Sequence, residues 1–412
     1  MSNIFDIAII GAGPAGIMSA ISAKNNFNKV CLLEKNYSPG KKLLISGKGR
    51  CNVTTSKDIH DIVKAFGKEG KFLYSALSQY SNQDVMHFFE ERGVKLKVER
   101  GDRVFPVTNE SSTILNCLVN ELKKKNIEIY HNFNVIKVSK NEDLFQINSK
   151  DKIIFSKKLI ISTGGKSYPE TGSTGDGYIF ANKFGHTIVN PIPALVPLIV
   201  NNKDINALAG LSLKNVELSF ISNNQVFLKE FGEMLFTHKG ISGPIVLRLS
   251  KGVYQQLEKG NKVIANIDLK PKLNEIILRK RIIREIQLAP KKEYQSLLST
   301  LLPKLLISYV INATEINKHQ QSSTLTKEQI SSLVSFLKKF SFEINGVESI
   351  NNAIVTHGGV DTKEIERKTM ESKIVSGLFF AGEIICLDGL TGGYNMQKAF
   401  STGFVAGNSA SV

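Results

Sequence analysis

The sequence predicts an α/β fold in which a parallel sheet is assembled from both ends of the chain and a mostly antiparallel region is inserted between them. Three observations predict it. An apolar strand, a glycine-rich turn and an apolar helix follow one another at the N-terminus. Alternating strand-like segments, followed by helical periodicity, fill residues 190–352. An apolar segment ending in Gly-Glu and a second glycine-rich helix start stand near the C-terminus.

Phe5 to Ile10 is a continuous apolar run, as expected of a strand buried on both faces of a parallel sheet. It ends in Gly11-Ala12-Gly13-Pro14-Ala15-Gly16, and a helical pattern follows to about Asn25. A second apolar strand, Lys29 to Leu33, leads into Glu34 and Lys35. This order is that of a Rossmann-like dinucleotide site. Gly11 permits the tight turn, Gly13 admits a pyrophosphate to the backbone, and Gly16 lets the helix pack on the strand. The helix N-terminus, starting at Pro14 and Ala15, offers unpaired N–H groups and a partial positive charge to phosphates. Glu34 stands where a ribose diol would be bound.

Later segments choose FAD over NAD. Ile127 to Val138 reads as a strand, and Leu144–Asn148 and Ile153–Phe155 as short strands of a meander. Lys158 to Ser162 reads as another strand, running into Thr163-Gly164-Gly165, where the chain can pass close to a cofactor. Near the C-terminus a strand ends in Gly382-Glu383. Gly392-Gly393-Tyr394-Asn395-Met396 then opens a helix to about Ala406. A helix N-terminus aimed at a flavin would stabilise the negative charge of its reduced form. An NAD-only dehydrogenase has no need of this third element. The expectation is an FAD-binding domain of the glutathione-reductase type over residues 1–189 and 353–412.

The insertion is expected as a β-barrel-like domain over residues 190–270 and 341–352, with a helical subdomain over 271–340. Val216–Ile221, Val226–Phe231 and Lys262–Leu269 alternate as strands do, while Leu273–Ala289, Tyr294–Asn312 and Lys327–Phe340 read as helices. Thr326 and Gln329 form a capping box for the last of these.

The net charge of +16 is spread over a chain rich in Lys, Ile and Asn, so nucleic acid is not the expected partner. The local exception is 270–292, with eight basic residues, read as a solvated helix face. The four cysteines show no CxxC pair, which excludes a dithiol centre and leaves no metal-ligand spacing. Scattered free cysteines, no membrane-length apolar stretch and no basic segment ahead of the first strand make the protein expected to be cytoplasmic, with no membrane partner.

Several segments then match a known family. They are Ser46-Gly47-Lys48-Gly49-Arg50-Cys51-Asn52, Arg103-Val104-Phe105-Pro106, Gly164-Gly165-Lys166-Ser167-Tyr168-Pro169, Leu235-Phe236-Thr237-His238 and Thr391-Gly392-Gly393-Tyr394-Asn395. In these the chain resembles the bacterial FAD-dependent flavoproteins of the BaiN/YhiN-like, or aminoacetone-oxidase-like, group. The resemblance implies an FAD domain with a large insertion, part barrel and part helical. It also implies that Glu34, the loop from Lys42 to Asn52, Glu383 and Asn395-Met396 contact FAD, with Val135 on the adenine side. Where that group usually shows Asp-x-Asp, this chain has Cys386-Leu387-Asp388.

The expected cofactor-binding residues are therefore Gly11, Gly13, Pro14, Ala15, Gly16, Glu34, Lys35, Lys42, Ser46, Gly47, Gly49, Arg50, Cys51, Asn52, Val135, Thr163, Gly164, Gly165, Gly382, Glu383, Gly393, Tyr394, Asn395 and Met396. His238 and Tyr168 are candidates for acid/base work, and Cys51, beside Arg50, for an activated thiol. Each has a structural alternative: a hydrogen-bonding histidine, a packing ring, and a small residue beside the flavin. His357, before Gly358-Gly359, stands in the same position as His238. The expected function is electron or hydride transfer between FAD and a small organic substrate, with oxygen or transiently bound NAD(P)H as partner. The alternative is a flavoprotein that binds or modifies RNA.

Overall fold

The computed structural model describes residues 4–412. These form two compact units, one of residues 4–194 and 350–412, the other of Leu195–Ser349.

In the first unit, strand Ile4–Ile10 lies between Val30–Leu33 and Ile153–Ile161 and pairs parallel with both. From Ile7 onward its side chains are buried, so the run is apolar without alternation. Two strand expectations need correction. The run 127–138 is not one strand: Glu128–Tyr130 extends the parallel sheet, the chain then leaves it, and Lys137–Asn141 begins the antiparallel meander. Asn132, left-handed at φ 54°, interrupts the run. Conversely, Ile153–Phe155 and Lys158–Ser162 belong to one strand, Ile153–Ile161. One of its edges pairs with Ile4–Ile10; the other is shared by Leu144–Asn148 and then Leu378–Phe380. The shared edge is where the late C-terminal strand enters the sheet.

Helix Tyr394–Ala410 packs against helix Pro14–Ala23. A Cβ on Gly403 would lie 2.4 Å from the Ala15 carbonyl oxygen, so only glycine allows the two backbones this close. Between the strands, residues 53–126 hold further elements. They include helices Asn82–Glu90 and Ser111–Lys124 and an antiparallel sheet of Thr54–Thr55, Arg103–Pro106 and Leu96–Glu99.

The second unit begins at Leu195 rather than 190, because Ile188–Ala194 pairs with Val355–Val360 in the first unit. Its antiparallel sheet runs Phe340–Ile344, Val263–Asp268, Ser212–Ser222, Gln225–Thr237, Gly240–Ser242, Leu198–Ile199, Gly346–Val347. The two end strands are separated in the chain only by Asn345, so the sheet must curl toward closure. The helices of 271–340 do not form a core of their own. Leu278, Ile282, Leu333 and Leu337 share one apolar cluster with Val263, Ala265 and Ile267. The expected helix Tyr294–Asn312 is two, Tyr294–Leu301 and Lys304–Thr314, because Pro303 cannot continue the first. Lys327–Lys338 has the expected capping box. Among the described residues no helix is long and apolar enough to cross a membrane.

Candidate active site

The turn after Ile4–Ile10 is shaped by what its glycines leave out. A Cβ on Gly16 would stand 1.9 Å from the Gly11 carbonyl oxygen, so glycine is required for the helix to sit this close to the strand. A Cβ on Gly13 would meet nothing within 4 Å. The space beside Gly13 is therefore open, at the start of a helix with Pro14 in its first turn and no side-chain cap. Such an end has spare N–H donors and a partial positive charge, which fits the diphosphate of FAD.

Glu34 is buried beneath this turn, its Oε2 accepting from Ala12 N at 2.9 Å and its Oε1 from Asn36 N at 2.8 Å. Two engaged carboxylate oxygens retain lone pairs for a ribose hydroxyl. Val135 is buried in the segment just after Phe133, whose N–H donates to the Glu34 carbonyl at 2.8 Å. Lys35 is committed elsewhere, with its Nζ 2.7 Å from Asp176 Oδ2 and 2.8 Å from Thr174 Oγ1.

The loop Ser46–Asn52 is held in a conformation few sequences tolerate. Gly47, Lys48, Gly49 and Cys51 all have positive φ, and Lys48 and Cys51 carry side chains there. Ser46 Oγ donates to the Leu43 carbonyl at 2.7 Å, and its own carbonyl accepts from Cys51 N at 3.0 Å. Arg50 turns to Glu99 and Asn109 and lies 4.1 Å over the Phe105 ring. Cys51 is fully buried, and desolvation pushes its thiol up to about 12, a hydrogen bond from Ser46 only partly opposing this. The reading of Cys51 as an activated thiol is thus corrected, since neither Arg50 nor solvent reaches it to favour thiolate. Asn52, in the amide orientation that satisfies its neighbours, accepts from Gly393 N at 2.9 Å and ties this loop to the start of the C-terminal helix.

Glu383 is the hub of the site. Its Oε2 accepts from Lys42 Nζ at 2.7 Å, and its Oε1 from Thr356 N at 2.9 Å and Ser167 Oγ at 3.2 Å. Lys42 also donates to Ser167 Oγ at 2.7 Å. Burial alone would raise the Glu383 carboxyl, but the Lys42 charge and these hydrogen bonds outweigh it and hold the group below its ordinary range. A Cβ on Gly165 would come within 2.4 Å of Thr356 Oγ1 and 3.0 Å of Glu383 Oε1, so this glycine lets the Thr163-Gly164-Gly165 turn reach the hub. Segments from four parts of the chain meet here.

Other expected contacts have different places. The Asn395 amide clasps Gly389, accepting from its N at 2.8 Å and donating to its carbonyl at 2.8 Å. Tyr394 is buried and Met396 packs against the core. Gly382 N donates to Thr402 Oγ1 at 2.9 Å. Tyr168 is half-buried and left-handed at φ 53°, with its N–H donating to Asn351. His238 belongs to the second unit, exposed in the turn between Gln225–Thr237 and Gly240–Ser242.

Sequence reasoning missed Ser167, Thr356 and Lys398. Lys398 is fully buried in helix Tyr394–Ala410, and its Nζ donates to the carbonyls of Leu387 and Ile385. Desolvation brings its ammonium down to about 8, although Glu383 and Asp388 oppose the shift. A lysine between Tyr394 and Thr402, the one charged residue of this helix, was the signal available.

The comparisons with known proteins agree with this geometry. The model of the HI0933-like protein Rossmann domain matches residues 5–409. The chain is 30% identical to the 3-dehydro-bile acid delta(4,6)-reductase of Clostridium scindens, covering 98% of each. It is 33% identical to the ribosomal RNA dihydrouridine synthase of Haemophilus influenzae, covering 100% of each. Among solved structures, a flavocytochrome c3 fumarate reductase superposes with TM-score 0.52 at 17% identity, covering 100% of this chain and 78% of that one, and shares its fold. The chain belongs to the HI0933-like Rossmann family and is a FAD-dependent oxidoreductase, as the BaiN/YhiN-like resemblance implied.

Proposed function

We propose that the protein reduces a carbon–carbon double bond conjugated to a carbonyl, with NAD(P)H as the source of electrons. One observation carries the reading. Two whole-length relatives with unlike substrates, a bile-acid delta(4,6)-reductase and a dihydrouridine synthase, bear names that describe the same bond change, saturation of a ring olefin. The site is consistent with it. The thiols of Cys51 and Cys386 are held protonated by burial, so electrons have no thiol relay to use.

Within this reading the chain's own residues divide the work. The helix start at Gly13-Pro14 holds the diphosphate, and Glu34 and Val135 the adenosine end. Lys42, Glu383 and the Gly164-Gly165 turn form the wall at the redox end. Bound FAD supplies the two-electron carrier between nicotinamide and olefin. The Lys42 charge beside it holds the Glu383 carboxyl below its ordinary range, so this wall carries a carboxylate. We place the protein in the cytoplasm, where its free cysteines stay reduced.

Anaerobic NADPH should bleach the yellow protein, and cyclohex-2-enone should then restore the colour as cyclohexanone forms. Reoxidation by dioxygen but not by the enone would sink the reading. A second reading is favoured by the +16 charge and by the exposed basic helix Glu275–Leu288: the olefin is the 5,6 bond of a uracil in RNA. It predicts dihydrouridine gained in purified ribosomal RNA, with binding that weakens steeply as salt rises. No gain at low salt eliminates it.

A further inference from the structure

Hydride addition to a conjugated olefin leaves half of the chemistry undone. When hydride adds at the β-carbon, the π electrons move to the carbonyl and give an enolate, and a proton must reach the α-carbon. The reductant is the flavin charged by nicotinamide; the proton has to come from an acid. Cys51 is excluded by its burial, and Lys42 is bound to Glu383 and Ser167.

One imidazole stands next to a hub residue in the chain. His357 follows Thr356, whose N–H donates to Glu383, in strand Val355–Val360. Its Nδ1 is 2.5 Å from Asp388 Oδ1. Asp388 follows Glu383 by five residues in the loop that Asn395 clasps at Gly389. This loop is also fastened from beneath, where buried Lys398 donates to the carbonyls of Ile385 and Leu387. The His357 side chain is 18% exposed, against 9% for Asp388, so the carboxylate is covered while the ring remains accessible.

Resting on the olefin-reductase reading, we propose that His357 is the catalytic acid that protonates the substrate α-carbon, with Asp388 as its positioning residue. The carboxylate accepts from Nδ1–H and fixes the ring plane, which leaves Nε2 to give up the proton and regain it from solvent. Cys386 of the same loop and Lys398 of the C-terminal helix feel the Asp388 charge; Glu383 acts on Lys398, and Glu69, Asp361 and Tyr178 of helix Asp176–Lys183 lie on the Cys386 side. From the partner strand the residue opposite His357 is Ile192, which is apolar.

The proposal is tested with 2-methylcyclohex-2-enone, because its protonation creates a stereocentre at the α-carbon. NADPH-reduced wild-type protein should give one enantiomer of 2-methylcyclohexanone. His357→Gln should slow the enone step about a hundredfold, far more than bleaching by NADPH, and give nearly racemic product because water then supplies the proton from either face. Asp388→Asn should lower the enantiomeric excess less and move the pH limb of the enone step, a change that a merely structural role would not produce. FAD content and melting temperature of each variant show that it is folded. An unchanged enantiomeric excess and rate in His357→Gln would overturn the inference while leaving the olefin-reductase reading in place. Failure of the wild-type protein itself with the enone would overturn both.

Discussion

In the first unit, Lys42, Ser167, Thr356 and Glu383 bring polar groups from distant parts of the chain into one half-buried cluster. In the second, Lys229–Glu217 and Lys262–Glu343 lie near the surface, and the more covered pair Lys338–Asp268 fastens a helix to the strand beside it. Left-handed residues with side chains occur in both units: Leu195, Asn215, Asn223, Asn224 and Glu315 in the second, and Asp102, Asn109, Asn126, Asn132, Glu142 and Met370 besides Lys48, Cys51 and Tyr168 in the first. What sets the first unit apart is the loop from Gly47 to Cys51, where four of five residues have positive φ and the surrounding structure holds them in place.

This contrast can be broken or sharpened by substitution. Glu383→Gln should have the largest effect, because it leaves Lys42 half-buried beside a neutral amide; a loss of about 3 kcal/mol in unfolding free energy is expected, together with loss of bound flavin on gel filtration. Retention of both would mean that the hub is ornamental. Because the Glu383 carboxyl is held below its ordinary range, its stabilisation is present above the unfolded carboxylate range and lost as pH falls through the folded value.

Lys398 gives the opposite sign. Its folded ammonium titrates near 8, below its unfolded range, so the penalty of charging it is full at neutral pH and relieved as pH rises toward 10.5. Wild type should therefore gain about 2 kcal/mol relative to Lys398→Met between pH 7 and 9.5, read from denaturant unfolding at both values. A pH-independent gap would show that Lys398 stays charged throughout. In the second unit, Thr326→Ala should cost about 1 kcal/mol through the lost capping box and leave flavin content unchanged. Smallest of all, Cys51 in the folded protein should resist a thiol reagent that labels it fully in denaturant. Rapid native labelling would restore the thiol to the list of reactive groups.

Where the chain signals its structure locally, the sequence was sufficient. The first strand, turn and helix were legible because an apolar run meets a local glycine spacing, in which Gly16 answers the Gly11 carbonyl and Gly11 a positive φ. Thr326 and Gln329 announced their helix for the same reason. The run from 127 to 138 misled because apolar content does not register the single left-handed Asn132. Strand Ile153–Ile161 was read as two because its change of edge partner is a tertiary fact. The hub was only half legible. Glu383 follows a glycine at a strand end, whereas Ser167 and Thr356 are ordinary residues made important by contacts more than 180 residues away in sequence. Cys51 looked reactive beside Arg50, and only the fold shows that the guanidinium turns the other way.

The close seat of Gly403 on helix Pro14–Ala23 fixes an order for the protein's manufacture. Strand Leu378–Phe380 and helix Tyr394–Ala410 leave the ribosome after everything they complete. Leu195–Ser349, a continuous stretch with a core of its own, can fold while the N-terminal residues still wait for their last partners. The first unit's sheet is therefore complete only after the second unit's whole stretch has been made.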